Sequence, residues 1–391
     1  MLRIKLREQR LKQASRTLVL VAFCLIVSQH SFAQSRSAET VDSSRLTRID
    51  RVVADGLRRG NMPGCVVRVG YQGEVIFEKA FGNRHVKPEK SPMTVDTVFD
   101  LASLTKPIAT ATSILKLSEE GLIDLDAPAS KYLPEFNSHG KDKITIKQLL
   151  THQGGLIPDN SLKDYLEGRE TAFAKINDLT LRASPGEQFI YSDVGFIVLG
   201  ELIETISGLR EDEYTSKHLF QPLKMTETGY VPAEDLKARA AITQERNDAW
   251  MQGEVHDPRA YEMDGVAGHA GLFSTAQDLS RYAQMILNEG ELDGVRILKP
   301  KTVAKMIAPI EVSSGIRSLG WDKQTGYSSN KGDLLSDQAI GHGGFTGTAL
   351  WIDPEKQLYV IFLSNRVHPD GKGSVNSLAG RIATIAVAAL P

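Results

Sequence analysis

Three short stretches of this chain carry residues whose types and spacing could do chemistry. The first is Ser103-Leu104-Thr105-Lys106. On a helix, residues three apart share a face, so a lysine there can take the serine proton or hold the base that does. The serine would attack a carbonyl from the helix N-terminus, where the free N–H groups of the first turn help stabilise the oxyanion that forms. Pro107 is tolerated so early in a helix. The same spacing recurs at Ser113/Lys116, Ser138/Lys141 and Ser328/Lys331. Context selects the first, because a strand-like Val98–Leu101 leads into it and a long apolar helix follows.

The second stretch is Tyr191-Ser192-Asp193, after Pro185-Gly186-Glu187. Of the ten tyrosines, Tyr191 alone has Asn or Asp two residues on. A lysine ammonium beside a phenol favours the phenolate, which can then act as general base towards a serine. The plainer reading is a turn tyrosine capping a helix at Phe196. The third is His342-Gly343-Gly344, where glycines let a substrate backbone approach a strand closely, or simply form a turn. Absent are a Gly-x-Ser-x-Gly elbow, His-Glu-x-x-His, a Walker loop and Cys-x-x-Cys. The glycine-dense Gly341–Gly347 precedes a strand rather than joining strand to helix, which argues against a nucleotide loop.

These residues must be held by an ordinary globular fold. The chain has 391 residues, 41% hydrophobic and 24% charged, with two cysteines, too few for a disulfide scaffold or a cysteine zinc module. A net charge of −2 gives no basic footprint for nucleic acid. The first 33 residues stand apart: Arg3, Lys5, Arg7, Arg10, Lys12 and Arg16 precede an uncharged run, Thr17–Val27, and Ser31-Phe32-Ala33 resembles a cleavage site. The run is too short to span a bilayer, which needs about 20 residues. A signal peptide over 1–33 is therefore expected, with a periplasmic or secreted product and no stable membrane insertion after cleavage. Phe23 is too large for the position before a lipidated Cys24. Cys65, in an apolar run, reads as a small core residue.

A flexible lead-in is expected over 34–44. Leu46, Ile49, Val52, Val53 and Leu57 then fall at helical spacing up to Gly60. Cys65–Tyr71 and Glu74–Phe81 read as a hairpin through Gln72-Gly73. The middle reads as helices at Lys106–Glu120, Ile146–Thr151, Phe196–Ser207 and Asp212–Phe220, with little period-two alternation. A helix follows Thr275, with Asp278 completing a capping box. Strands return at Ala349–Ile352 and Leu358–Leu363, and an amphipathic helix, Val375–Ala389, closes the chain. The expected class is α+β: an antiparallel sheet domain from 45–105 plus 275–391, flanked by terminal helices, with a mostly helical domain, 106–274, inserted.

Ser-x-x-Lys, then Tyr-x-Asn, then Lys-Thr-Gly on a sheet edge is the set of class C β-lactamases and related penicillin-binding peptidases and esterases, and this chain resembles that family from about residue 45 to its C-terminus. Ile144–Leu156, Pro222-Leu-Lys-Met225, Ala270–Thr275 and Gly344-Phe-Thr-Gly-Thr348 share the likeness. The resemblance implies a β-lactamase/transpeptidase-like fold, with Ser103 as acylated nucleophile and Lys106 and Tyr191 sharing the proton work. The backbone N–H groups of Ser103 and Phe345 would form the oxyanion hole. His342 would stand where the family lysine faces the tyrosine, and Gly343 and Gly344 would line the substrate edge. No cofactor is implied.

Two departures bear on substrate. Asp193 replaces the asparagine; it accepts hydrogen bonds only and would hold Lys106 cationic, which favours Tyr191 as the base. His342 replaces the lysine and is not reliably charged at neutral pH, although Arg366, in Asn365-Arg-Val-His-Pro369, could partly stand in. Efficient lactam hydrolysis is therefore not expected. His256, Asp257 and His269 form weak grounds for a metal site and read better as loops packing over the cleft. This stretch and Asn365–Pro369 resemble a subgroup linked with muropeptide turnover. The expected activity is a serine hydrolase working through an acyl-enzyme on a cell-wall peptide or muropeptide amide. The alternatives are a promiscuous carboxylesterase, a weak β-lactamase and a non-catalytic cell-wall peptide-binding module.

Overall fold

Tyr71 and Glu74 pair across a two-residue turn in which Gln72 and Gly73 both take positive φ, +50° and +86°, so the expected hairpin forms as β1 (Gly64–Tyr71) and β2 (Glu74–His85). A computed structural model describes residues 40–391; the expected signal peptide over 1–33 lies outside the described residues. Beside β2 lies β3 (Ser91–Pro92). The C-terminal part supplies β4 (Ile310–Val312), β5 (Gly315–Arg317), β6 (Asp322–Gln324), β7 (Ile340–Gly344), β8 (Thr348–Asp353) and β9 (Leu358–Ser364). Among the described residues these make one nine-stranded sheet in the order β4-β5-β6-β7-β8-β9-β1-β2-β3, antiparallel at every pair. β1 docks on β9, so the two ends of the chain meet inside the sheet, with Val66 opposite Leu363.

Every residue of β8 and β9 is buried, because helices cover both faces of the sheet. The helical spacing of Ile49, Val52 and Val53 yields α1 (Arg48–Arg58), whose apolar stripe is buried. It packs on the last helix, α5 (Asn376–Ala388), closely enough that a Cβ on Gly56 would stand 2.2 Å from Leu378 Cδ1. The helix after Thr275, α4 (Ala276–Leu287), packs on β9 and β1. Thr275 Oγ1 accepts the Asp278 N–H, but the Asp278 carboxylate turns to Glu227 N–H and Thr228 Oγ1, each at 2.8 Å. The expected capping box is thus half made. Cys65 is fully buried and unpaired, as its apolar setting implied.

The middle segment is more strand-rich than its sequence suggests. Ile242–Arg246 pairs with Ala249–Gln252 through Asn247-Asp248, both at positive φ. Phe99–Asp100 pairs with Leu272–Ser274, which pairs in turn with Gly229–Tyr230. The helix expected from Lys106 runs as a π-helical turn, Lys106–Ala111, into α2 (Thr112–Glu119). The longest middle helix is α3 (Asp193–Ser207), capped by Ser192 Oγ on Gly195 N–H at 3.1 Å. Among the described residues no helix is long and apolar enough to cross a membrane.

One buried polar cluster fixes the middle segment against the Lys106 turn. Glu211 Oε1 lies 2.7 Å from Thr110 Oγ1, which lies 2.7 Å from the Gly268 carbonyl. One hydroxyl proton cannot serve two acceptors, so the carboxyl carries a proton of its own and donates it to Thr110. Burial pushes the Glu211 carboxyl up to about 7, in agreement. A native state that keeps a proton the unfolded chain releases above about pH 4.3 loses stability as pH rises from there through 7. Glu211→Gln is expected to flatten that fall by on the order of 1–3 kcal/mol. Denaturation midpoints of both proteins at pH 5 and pH 8 check this; parallel shifts refute it.

Candidate active site

Ser103 sits in a tight turn, Ala102–Leu104, between the Phe99–Asp100 strand and the Lys106 turn. The residue before it, Ala102, has φ +47°, a conformation a non-glycine residue holds only when its surroundings impose it. Here the buried Asp100 imposes it. Its Oδ1 accepts the Ala102 N–H at 2.8 Å and its Oδ2 accepts the His256 N–H at 2.6 Å. Burial raises the Asp100 carboxyl to about 6, against those two amide bonds.

Lys106 Nζ is fully buried; it donates to Ser103 Oγ at 3.1 Å and to the His269 carbonyl at 3.0 Å, and pairs with the Asp193 carboxylate, whose Oδ1 lies 2.6 Å away. Burial alone would lower this amine, but Asp193 and Tyr191 outweigh it and hold Lys106 above the ordinary lysine range. It is a fixed cation, not a free base. Asp193 is the first residue of α3, and its N–H bonds to the Pro158 carbonyl at 2.9 Å. The His269 carbonyl reaches Lys106 because Gly200 and Gly268 let α3 and the His269 loop touch. A Cβ on Gly268 would stand 2.1 Å from the Phe196 carbonyl.

Tyr191 is the middle ring of a three-ring stack. His152 lies on one side, with ring centroids 4.3 Å apart, and Tyr327 at 4.7 Å; Lys106 Nζ is 5.0 Å from the Tyr191 ring centre. His152 Nδ1 accepts the Ser192 N–H at 3.1 Å, and burial, then Arg317 and Lys106, keep this imidazole well below its usual range, hence neutral. His342 lies 6.0 Å from Tyr191. Burial, then Arg317 and Lys106, hold it neutral too. Its Nδ1 donates to the Gly343 carbonyl at 2.7 Å, which leaves Nε2 an acceptor where a lysine would be a donor.

The β7–β8 hairpin is stitched to the Ser103 turn: Thr346 Oγ1, between the two strands, donates to the Asp100 carbonyl at 2.7 Å, and Thr348 Oγ1, at the start of β8, to the Leu101 carbonyl at 3.0 Å. This seam brings Phe345, at the end of β7, to the Ser103 turn. It also gives the glycines a different reason from the expected one. A Cβ on Gly344 would stand 2.2 Å from Thr348 Oγ1 and 2.3 Å from the Leu101 carbonyl, and one on Gly341 would strike the Trp351 ring. These glycines admit the protein's own neighbours before any substrate.

Ser103, Tyr191, Asp193, His342, Gly343, Gly344, Phe345 and Arg366 all line one cleft of ≈ 1260 Å³, with Lys106 buried beneath. The cleft also takes in residues that the sequence reading set aside. His256 is not mere packing: its ring stacks on Phe345 at 5.6 Å, and its Nε2 is held by Gln244 Oε1 at 2.7 Å, from the hairpin the sequence hid. Asn365 Nδ2 donates to the Ile242 carbonyl and His368 Nδ1 to that of Thr243, while His368 Nε2 accepts the Val86 and Lys87 N–H groups. The Asn365–Pro369 motif therefore anchors that hairpin, and sets Arg366 over the Phe345 ring at 4.5 Å. Arg366 has no carboxylate partner among the described residues; burial alone lowers it.

Asp193, Asp257 and His269 bring one ligand atom each within 4.8 Å of one another. Each is already served. Lys106 holds Asp193, and Asp257 Oδ1 takes His269 Nε2 at 3.0 Å and two amides of the turn it caps. A metal ion would have to enter beside the Lys106 ammonium, against its charge. The sequence missed His152, Tyr327 and Arg317 because a stacking histidine, an exposed loop tyrosine and an arginine on a three-residue strand carry no spacing signal.

A serine hydroxyl held by a buried ammonium, beside a stacked phenol, is equipped for acyl transfer. A profile of the Beta-lactamase family matches residues 49–384. The chain is 32% identical over 372 residues to the N-acetylmuramyl-L-alanine amidase of Bacillus subtilis (strain 168), covering 85% of this chain and 84% of that one. It is also 32% identical to a protein named "Putative D-alanyl-D-alanine carboxypeptidase" of Salmonella agona (strain SL483), covering 84% of each. Its fold superposes on a class C beta-lactamase with a TM-score of 0.73 at 20% identity, over 90% of this chain and 98% of the other. The chain belongs to the beta-lactamase family and is a serine hydrolase.

Gly344→Ala tests the seam. The Leu101 carbonyl is backbone and cannot swing away, so β7 must move off the Ser103 turn. The expected outcome is a loss of about 1–3 kcal/mol in stability and at least tenfold slower labelling of Ser103 by a fluorophosphonate. Unchanged labelling would show that the glycine is dispensable.

Proposed function

We propose that this enzyme hydrolyses an amide bond of cell-wall muropeptides through an acyl-enzyme on Ser103, and that it works outside the cytoplasm, in keeping with the basic, then uncharged, leader. The observation that carries the mechanism is that Lys106 donates to Ser103 Oγ while paired with Asp193: an amine held as a cation is a poor base, so the serine proton goes to Tyr191. As phenolate beside that ammonium, Tyr191 takes the Ser103 proton as Oγ attacks the carbonyl carbon. The oxyanion is received by the Ser103 and Phe345 amides. Tyr191 then gives the proton to the departing amine nitrogen, the C–N bond breaks, and water deacylates the serine by the reverse proton path.

Two features support an amidase over a carboxypeptidase. A free C-terminal carboxylate calls for a permanent cation on β7, and His342 there is neutral. Asp193, as carboxylate, welcomes an N–H or O–H of the substrate. Arg366, whose Nη1 donates to the Gly373 carbonyl at 2.8 Å, has no carboxylate partner among the described residues and offers the rest of its guanidinium, beside Phe345, to an acidic group further along the peptide.

Purified protein offered muropeptides, D-Ala-D-Ala peptides, acyl esters and nitrocefin, with products and adducts read by mass spectrometry, tests this. The expected result is sugar–peptide amide cleavage with the highest kcat/KM, an adduct on Ser103, and activity down by at least about 10³-fold in Ser103→Ala. Preferred ester turnover with muropeptides untouched would favour an esterase. Peptide binding with no adduct would show a non-catalytic module.

A further inference from the structure

Arg317, on β5, is 0% exposed, yet its Nε, Nη1 and Nη2 have no hydrogen-bond partner among the described residues. The nearest carboxylate oxygen, Asp322 Oδ1, is 3.5 Å away, and Asp322 already accepts the Thr325 and Ser328 hydroxyls at 2.9 and 2.6 Å. A guanidinium buried with its donors unmet is costly, and an apolar residue of like volume would serve the fold better. Its position suggests what offsets that cost. The guanidinium stands 5.6 Å from the Phe189 ring. Phe189 meets His152 and Tyr327 edge-on, each at 6.0 Å, and those are the two rings that sandwich Tyr191. Lys106 Nζ stands 5.0 Å from the centre of the same phenol ring. On β7, two strands along from Arg317, the residue facing Tyr191 is the uncharged His342.

We propose that Arg317 is a positioning residue that supplies, through this aromatic layer, the second fixed positive charge favouring the Tyr191 phenolate. It touches no substrate. The inference rests on the reading of Tyr191 as base. The other groups around the phenol are accounted for: Lys106 is paired with Asp193, His152 and His342 are neutral, Tyr327 is a phenol raised chiefly by burial, and Asp322 is the counter-charge that tempers Arg317.

The test is the pH profile of turnover of a chromogenic acetate ester between about pH 5 and 10, which reports Ser103 acylation whatever the natural substrate. Folding of each variant is checked by circular dichroism. In Arg317→Gln the acid limb of the profile is expected to move up by about one pH unit, with activity recovering at high pH. Arg317→Lys should keep the limb near its original place. Asp322→Asn, which bares the arginine, should move it down. A folded Arg317→Gln protein whose limb stays put, or which loses activity equally at every pH, overturns the proposal. Should that variant fail to fold, an unmoved limb in Asp322→Asn overturns it instead. A wild-type enzyme that turns over no ester and forms no Ser103 adduct would refute the hydrolase reading, a separate failure.

Discussion

The ammonium of Lys106, sealed from water between Asp193, Ser103 and the His269 carbonyl, is the constraint around which the rest of this molecule is arranged. A buried charge is tolerated only where partners replace its hydration, and the three partners come from three separate places. Ser103 is local, one turn away. Asp193 arrives as the first residue of α3, and the His269 carbonyl comes from a loop that Gly200 and Gly268 bring against that helix. Satisfying one cation therefore folds the middle segment onto the Ser103 turn. The same ammonium sets the electrostatics there: Asp193 and Tyr191 keep it cationic beside Ser103 Oγ and the Tyr191 ring.

The second constraint is the seam between the β7–β8 hairpin and the Ser103 turn. Two threonine hydroxyls, one in the connecting turn and one at the start of β8, bond to the Asp100 and Leu101 carbonyls, while the Asp100 side chain holds Ala102 at positive φ. The strain at Ala102 is thus sustained by the sheet itself, as expected where a strained residue orients a reactive one. Because β7 sits within a sheet built from both chain ends, the position of Phe345 relative to Ser103 depends on β1 docking on β9, far along the chain.

Much of this was legible in the residues. Strand-like apolar runs gave β1, β2, β8 and β9, helical spacing gave α1 and α5, and the cap at Thr275 gave α4. Ser103, Lys106 and Tyr191 were legible through their spacing and order. Spacing alone was not enough. Lys141 Nζ also reaches Ser138 Oγ, at 3.3 Å, so the local geometry of Ser-x-x-Lys forms twice, and only at Lys106 do a phenol and a carboxylate join it. What stayed hidden was non-local. The 242–252 hairpin is short and half exposed, with polar residues on both strands, so no alternation marks it. The Asn365–Pro369 motif, legible as a pattern, acts by carbonyl and amide bonds to distant loops, a role no single stretch can announce. Gly343 and Gly344 were read as space for substrate, and nothing local shows that Gly344 also admits Thr348 and the Leu101 carbonyl.

The two departures from the family pattern are best taken together. Asparagine to aspartate adds a negative charge next to Lys106, and lysine to histidine removes a positive one from β7. Both push the reacting end of the cleft towards the negative. Such a floor repels a substrate carboxylate close to the scissile bond and favours hydrogen-bond donors there, while Arg366 keeps a positive charge beside Phe345. A molecule matched to that distribution presents hydroxyl or amide donors around the carbonyl under attack and holds its acid farther along the peptide. A sugar-linked peptide has that distribution. A β-lactam, or a peptide ending one residue past the cleaved bond, carries its carboxylate where this cleft has given up its cation.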